Sequence, residues 1–237
     1  MSSHPVGPEP DWPINTYKAA MIADAIERYG LRSIMDVGAC WEVNGGYAFH
    51  ALENGVEHAA ILDGNITGLT RLRAAVEPRT SLHEGNLGDQ AFIEALPSCD
   101  AAILYDVLLH QVDPNWDEFL KRYANKVDRF IIFNEDFVLP QTTRLHTLGV
   151  EWYIANTPEG RDHARVLKWY REHNEIVPWL GRPWRDAHHF WQWGITQDDL
   201  MDCMRKLGFR LNWFNDFGPW SDHLPHIRFD GYLFSRR

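Results

Sequence analysis

The stretch Ser-Ile-Met-Asp-Val-Gly-Ala-Cys-Trp-Glu-Val-Asn-Gly-Gly-Tyr, residues 33–47, decides the fold of this chain. Its apolar first half predicts a short buried strand that ends near an acid, Asp36. Glycines follow at Gly38 and at Gly45–Gly46, where a tight turn lets backbone N–H groups and a helix N-terminus approach a ligand closely. The acid inside the turn argues against a site built only for pyrophosphate. It favours a ligand with cationic or hydroxyl groups.

Short β-like runs alternate with helical stretches around this segment. The predicted strands are 33–37, 58–62, 80–83, 99–105 and 129–133, and the predicted helices are 15–29, 46–54, 67–76, 89–96 and 114–126. This alternation predicts an α/β fold with a mostly parallel sheet covered by helices on both faces. In such sheets ligands lie beyond the carboxyl ends of the strands.

The alternation breaks near residue 140. Residues 141–194 are rich in Trp, His and Arg and show no clean β period, so we interpret them as a helical or irregular lid. Thr196 then begins a helix with acids in its first turn, and two β-like runs close the chain as an antiparallel pair. The predicted units are a flexible tail (1–14), an α/β core (15–140), the lid (141–194) and a C-terminal helix and hairpin that complete the core (195–237).

Composition limits the partners and the compartment. The chain has 237 residues and a formal net charge of −10, which disfavours nucleic acid and anionic membrane surfaces. Its three cysteines are far apart, so neither a disulfide framework nor a thiolate zinc site is expected. No apolar run has membrane-spanning length and the N-terminus does not resemble a signal peptide, so we expect a cytoplasmic protein. A homodimer is compatible with these features.

Residues 33–47 resemble motif I of class I S-adenosylmethionine (SAM) methyltransferases, in which an acid opens a Gly-rich loop after the first strand. The final antiparallel pair is also a hallmark of that family, so the resemblance covers about 30–140 and 195–237. It implies a Rossmann-like, seven-stranded, mostly parallel sheet with an antiparallel C-terminal strand. The usual G-x-G-x-G pattern is absent, which makes the loop longer here.

The resemblance implies a set of SAM contacts. Asp63 matches the acid that binds both ribose hydroxyls, because a carboxylate can accept two O–H bonds at once. Asn86 stands where the family often has an acid that receives the adenine amino group. The full set runs from the glycine turn to a segment similar to motif IV: Asp36, Gly38, Ala39, Gly45, Asp63, Gly64, Asn86, Leu87, Tyr105 and Asp106.

Methyl transfer to a hydroxyl needs a general base or a metal that lowers the hydroxyl pKa. The catalytic candidates are His146, His110 and Glu135, with His146 as the preferred base. The alternative is a Mg²⁺ site formed by Asp106, Glu135 and Asp136, which resembles the site of catechol and certain sugar O-methyltransferases. Without a metal, these acids would be a helix cap and the lining of a polar cleft.

Tryptophan usage bears on the acceptor, since eight of the eleven tryptophans follow residue 150. Aromatic faces beside polar side chains favour a sugar, although several tryptophans must simply pack the lid. The residues predicted to touch the acceptor are Trp41, Glu42, His188, His189 and Trp191.

The leading hypothesis is a SAM-dependent O-methyltransferase that acts on a sugar or oligosaccharide hydroxyl. The chain is similar to bacterial sugar O-methyltransferases, including those of mycobacterial polymethylated polysaccharide synthesis. Two alternatives remain open: an N- or O-methyltransferase of another small natural product, and a SAM-binding subunit without catalysis. A nicotinamide dehydrogenase is a more distant alternative.

Overall fold

The structure is a computed structural model that describes residues 13–178, 181–186 and 190–237. The tail predicted for residues 1–14 therefore lies almost entirely outside the described residues. None of the described helices combines the length and the apolar character that crossing a membrane requires.

Seven strands form one central sheet. They are β1 (Ser33–Val37), β2 (His58–Asp63), β3 (Thr80–Glu84), β4 (Cys99–Tyr105), β5 (Val127–Phe137), β6 (Phe209–Pro219) and β7 (Ile227–Arg236). Their order across the sheet is β3–β2–β1–β4–β5–β7–β6. The first five strands pair in parallel, and β7 lies antiparallel between β5 and β6. The seven-stranded, mostly parallel sheet predicted from the sequence is confirmed.

Helices cover both faces of this sheet. Those within the described residues are α1 (Thr16–Tyr29), α2 (Gly46–Glu53), α3 (Gly68–Val76), α4 (Gln90–Ala95), α5 (Trp116–Ala124), α6 (Val150–Asn156), α7 (His163–Glu172) and α8 (Gln197–Lys206). Consecutive strand residues enter different cores because strand side chains alternate between the faces. Ile34 joins the core under α1 and α2, whereas Met35 joins the core under α5 and α8.

Strand β5 is longer than the sequence indicated. The predicted strand stopped at residue 133, but β7 pairs with β5 as far as Phe137, with Phe229 opposite Glu135 and Arg228 opposite Asp136. The acids expected to follow the strand therefore lie inside it. Their side chains point to alternate faces, which changes what they can bind together.

The segment between β5 and α8 forms an apolar cluster of its own around Tyr153, Trp169 and Phe190. It contains α6, α7 and two short antiparallel ladders, Thr143–Arg144 with Trp193–Gly194 and Ile176–Val177 with Arg182–Pro183. We call this segment the lid. The stacking of Trp169 on Phe190, with ring centroids 4.5 Å apart, shows that part of the tryptophan excess serves packing.

Candidate active site

A glycine turn joins the ends of β1 and β2. The N–H groups of Gly38 and Ala39 both donate to the carbonyl of Leu62, at 2.9 and 3.1 Å. Gly38 has a φ of 77°, and a Cβ there would lie 2.9 Å from Val107 Cγ2. Glycine adopts a positive φ without strain and has no Cβ to clash with Val107. The turn therefore packs closely against the segment that follows β4.

Asp36 lies beneath this turn. Its carboxylate is buried and accepts a hydrogen bond of 3.1 Å from the N–H of Ala48, in the first turn of α2. Burial raises the pKa of Asp36 to about 7, and the charge of Asp63 acts in the same direction. Asp36 therefore braces the start of α2, which is the helix N-terminus that the sequence predicted to approach a ligand.

Replacing Asp36 with asparagine is expected to stabilise the ligand-free protein. The folded-state pKa lies above the unfolded one, so the folded state binds more protons between about pH 4 and 7, and the wild type loses free energy of unfolding as the pH rises through that window. Asparagine keeps an acceptor for Ala48 and has no charge to desolvate, so the gain at pH 8 should be on the order of 2–4 kcal/mol.

Urea unfolding at pH 5 and pH 8 measures this effect. The gain of the Asp36→Asn variant should be larger at pH 8, and an equal gain at both pH values would show that Asp36 is not the titrating group.

Asp63 ends β2 and ties the turn to the sheet. One carboxylate oxygen accepts from the N–H of Cys40 at 2.8 Å and the other from the N–H of Asn65 at 3.0 Å. Next to it, Glu84 ends β3 and accepts from the N–H of Ile66 at 3.1 Å. Burial raises the pKa of Asp63 and the charge of Glu84 adds to the effect, which shows that the two acids lie near each other.

Glu84 was not among the residues that the sequence predicted at this edge. The signal was present, because Glu84 closes β3 as Asp63 closes β2. Between these strand ends the surface is open: a Cβ on Gly64 would meet only the carbonyl of Gly85, at 3.8 Å. Asn86 follows, exposed, with its side-chain oxygen accepting from the N–H of Gly88 at 3.1 Å. Asp63 and Asn86, the residues predicted to contact the ribose and the adenine, therefore lie at the same edge of the sheet.

The loop that replaces G-x-G-x-G is exposed at its tip. Trp41 is 76% exposed, and Glu42 beside it is also exposed, with a φ of 63°. Left-handed backbone is uncommon for a non-glycine residue, and such strain gathers at functional sites. Trp41 therefore presents a bare aromatic face close to the glycine turn.

A half-buried ion pair lies at the end of β4. Asp106, the first residue after the strand, has a φ of 58° and accepts from the ammonium group of Lys18, which α1 places over the sheet. Glu135 of β5 lies beside them. Burial raises the pKa of Glu135 well above its usual range, and the charge of Asp106 adds to the shift while that of Lys18 opposes it. Two carboxyl groups and one ammonium group therefore meet at the end of β4.

His110 approaches the same place. Its Nδ1 lies 2.9 Å from the carbonyl oxygen of Phe190. Since a carbonyl only accepts, Nδ1 must carry the proton, and the neutral ring presents the lone pair of Nε2 as a base. Burial lowers the pKa of His110, while the charge of Asp106 acts in the opposite direction. His110 is therefore an oriented, unprotonated imidazole next to Asp106.

His146 lies in a different place. It lines a cavity of about 150 Å³ inside the lid together with Trp169, Tyr170 and His173. Burial, followed by the nearby charge of Arg144, lowers the pKa of His146 to about 4. A base that weak accepts a proton poorly at neutral pH. His146 lies inside the lid, whereas His110 lies at the end of β4 next to Asp106.

No protein-family model and no curated protein sequence matches this chain. Solved structures do resemble it. The structure of a 1,6-didemethyltoxoflavin N1-methyltransferase from Burkholderia thailandensis, with 1,6-didemethyltoxoflavin and S-adenosylhomocysteine bound, gives a TM-score of 0.59 at 13% identity, covering 93% of this chain and 78% of that one. The N-terminal domain of EvdMO1, solved with S-adenosylhomocysteine and D-fucose, gives 0.59 at 12% identity, covering 95% and 85%.

The mitomycin 7-O-methyltransferase MmcR gives a TM-score of 0.53 at 13% identity, covering 93% of this chain and 53% of MmcR. This chain therefore spans about half the length of that enzyme. The seven-stranded, mostly parallel sheet with its antiparallel β7 is consistent with the class I methyltransferase fold. This chain has the class I methyltransferase fold.

The methyltransferase fold does not assemble the predicted metal site here. Asp136 lies on the face of β5 opposite to Glu135 and accepts there from Tyr232 Oη and, at 2.6 Å, from Asn134 Nδ2. Among the described residues, no group of three His, Cys, Asp or Glu side chains is placed to hold a metal ion. The expected triad of Asp106, Glu135 and Asp136 is wrong, because β5 continues through the acids and separates them.

The five residues predicted to touch the acceptor fall into three groups. Trp41 and Glu42 are exposed beside the turn. Trp191 is buried, packed edge-on against Trp220 with ring centroids 5.3 Å apart, so it belongs to the packing between the lid and the sheet. His188 and His189 lie outside the described residues.

Proposed function

We propose that this protein is a SAM-dependent methyltransferase with a small-molecule acceptor. The observation that carries the proposal is the row of acids Asp36, Asp63 and Glu84, which lie at the carboxyl ends of three adjacent strands beside a glycine turn. Asp63 suits a ligand with ribose hydroxyls, while Asp36 supports the turn from beneath and Glu84 pairs with Arg71 at 2.6 Å. The S-adenosylhomocysteine in two of the similar structures supports this choice.

The residues present fit the cofactor. The open surface at Gly64 leaves room for the nucleoside, with Asp63 in position for the ribose hydroxyls and Asn86 for the base. Bound SAM supplies a methyl group on a sulfonium, ready for displacement. The N-terminus of α2, braced by Asp36, would lie near the methionine end.

The proton of the acceptor goes to His110. Its Nε2 lone pair takes the proton from the acceptor hydroxyl while that oxygen receives the methyl group. The carbonyl of Phe190 holds the ring in the required tautomer through Nδ1, and the nearby charge of Asp106 stabilises the imidazolium that forms. Glu135, whose pKa is raised by burial, lies beside Asp106 and Lys18 in the same polar pocket.

We propose a sugar hydroxyl as the acceptor group. Trp41 offers an exposed face for a sugar ring next to the turn, and the end of β4 offers polar groups for its hydroxyls. The D-fucose in the EvdMO1 structure is consistent with this class. Another small natural product is the second candidate, favoured by the similarity to the toxoflavin and mitomycin enzymes.

An acceptor screen with methyl-labelled SAM tests the proposal. Sugars, oligosaccharides and hydroxylated aromatic compounds would be compared, and methylation of sugars alone is the expected result. Labelling of aromatic acceptors with no labelling of sugars would move the assignment to another natural product. Tight binding of S-adenosylhomocysteine with no turnover on any acceptor would contradict an enzymatic role.

A further inference from the structure

Lys18 is a buried cation at the point where the acceptor site begins. It is only 8% exposed, and its ammonium group pairs with Asp106 and lies 4.6 Å above the centre of the Phe133 ring. Its backbone carbonyl also accepts from Tyr105 Oη at 2.8 Å. The backbone of Lys18 is therefore held by Tyr105, and its ammonium group is held by the ion pair with Asp106.

Hydrogen bonds also hold the start of α1 in place. The side-chain oxygen of Asn15 accepts from the N–H of Tyr17 at 2.9 Å and of Lys18 at 3.3 Å, which caps the helix. The N–H of Asn15 donates to Tyr47 Oη at 3.2 Å, so α1 is also tied to α2. These bonds fix the backbone of Lys18, and the ion pair with Asp106 fixes its ammonium group.

Asp106 and Glu135 are two of the three acids at which the sequence predicted a Mg²⁺ ion. A divalent ion needs room and several oxygen ligands. The third predicted ligand, Asp136, is on the other face of β5, and the ammonium of Lys18 already occupies the space beside Asp106. A metal ion would have to displace a tethered cation of like charge.

We propose that the Lys18 ammonium is a built-in cation that replaces a divalent metal in the acceptor site and positions Asp106 for the reaction. This inference rests on the proposed function. The lysine holds the Asp106 carboxylate at the end of β4, where its charge reaches His110. Removal of Lys18 leaves Asp106 free to turn away and leaves two acids without their cation.

The first test uses the unmodified protein. After treatment with EDTA, turnover should be unchanged, and titration with Mn²⁺ followed by electron paramagnetic resonance should show no bound ion. Loss of turnover with EDTA that Mg²⁺ restores, or one tightly bound Mn²⁺ per chain, would overturn the proposal whether or not any variant folds.

The second test compares Lys18→Ala with Lys121→Ala, which removes an exposed lysine of α5 that pairs with Glu118 at 2.9 Å. For Lys18→Ala, kcat should fall about 100-fold with little change in the affinity for S-adenosylhomocysteine. Lys18→Arg should restore part of kcat, since it keeps the charge, and Lys121→Ala should resemble the wild type.

Three outcomes separate the inference from the proposed function. Normal kcat in Lys18→Ala would overturn only the role of the lysine. A large loss of cofactor affinity in that variant would also overturn it, by assigning Lys18 to cofactor binding. Failure of the wild type itself to bind S-adenosylhomocysteine would overturn the proposed function first.

Discussion

Replacing Asp63 with alanine is expected to lower the affinity for S-adenosylhomocysteine by about 100-fold or more. Two hydrogen bonds from ribose hydroxyls to a carboxylate would be lost, at about 1.5 kcal/mol or more each, and about 1.4 kcal/mol corresponds to a factor of ten. The same change releases the N–H of Cys40 from its 2.8 Å bond, which loosens the glycine turn. Isothermal titration calorimetry of both proteins measures the effect.

Glu57→Gln is the matched control. Glu57 is an exposed acid beside the opposite end of β2, where it pairs with Arg32. Its replacement should leave cofactor affinity unchanged, because the site lies at the carboxyl end of the strand. An Asp63→Ala protein that stays folded and binds within about threefold of the wild type would remove Asp63 from the site, since that difference is under 1 kcal/mol.

Replacing His110 with alanine is expected to lower kcat by about 10²- to 10⁴-fold, the range that a positioned general base contributes. The affinity for S-adenosylhomocysteine should stay close to that of the wild type, because the ring lies beyond the strands that form the cofactor edge. Rapid measurement of single turnovers with saturating SAM separates this loss from any change in binding.

The pH dependence of the wild type gives an independent check on His110. Burial lowers the pKa of this ring, so it stays unprotonated to a lower pH than an exposed histidine would. The acidic limb of kcat/KM should therefore lie below about pH 6.5, the ordinary histidine value, and should disappear in the His110→Ala protein. An acidic limb that persists in that variant would assign the base elsewhere.

His146→Ala serves as the counterpart. The ring lines the lid cavity and its pKa is about 4, so its removal should leave turnover within about threefold of the wild type. A loss comparable to that of His110→Ala would restore His146 as the base and contradict the site described above.

The cofactor edge could be predicted from the sequence because its signals are local. Asp36 and Asp63 each end a short apolar run next to glycines, and the start and end of α1 follow from Asn15 and Gly30. Each of these residues influences the backbone conformation within a few positions of itself in the sequence. Local propensity and turn chemistry therefore agree with the final fold.

The acceptor side could not be predicted in the same way because its contacts are non-local. Lys18 and Asp106 form an ion pair although they are 88 residues apart in the sequence, and no local sequence pattern predicts that pair. The length of β5 depends on its pairing with β7, almost a hundred residues later. The four extra residues of strand, 134–137, place Glu135 and Asp136 on opposite faces of the sheet. Only the folded lid shows that burial and the charge of Arg144 lower the pKa of His146.

Titration calorimetry of the wild type with S-adenosylhomocysteine and with NADH tests the central claim most directly. The edge formed by the glycine turn, Asp63 and Glu84 should bind the nucleoside of S-adenosylhomocysteine and should not hold the pyrophosphate of NADH. We predict that one molecule of S-adenosylhomocysteine binds per chain and that NADH gives no heat of binding. Binding of NADH in the absence of any binding of S-adenosylhomocysteine would contradict the assignment of this edge to SAM.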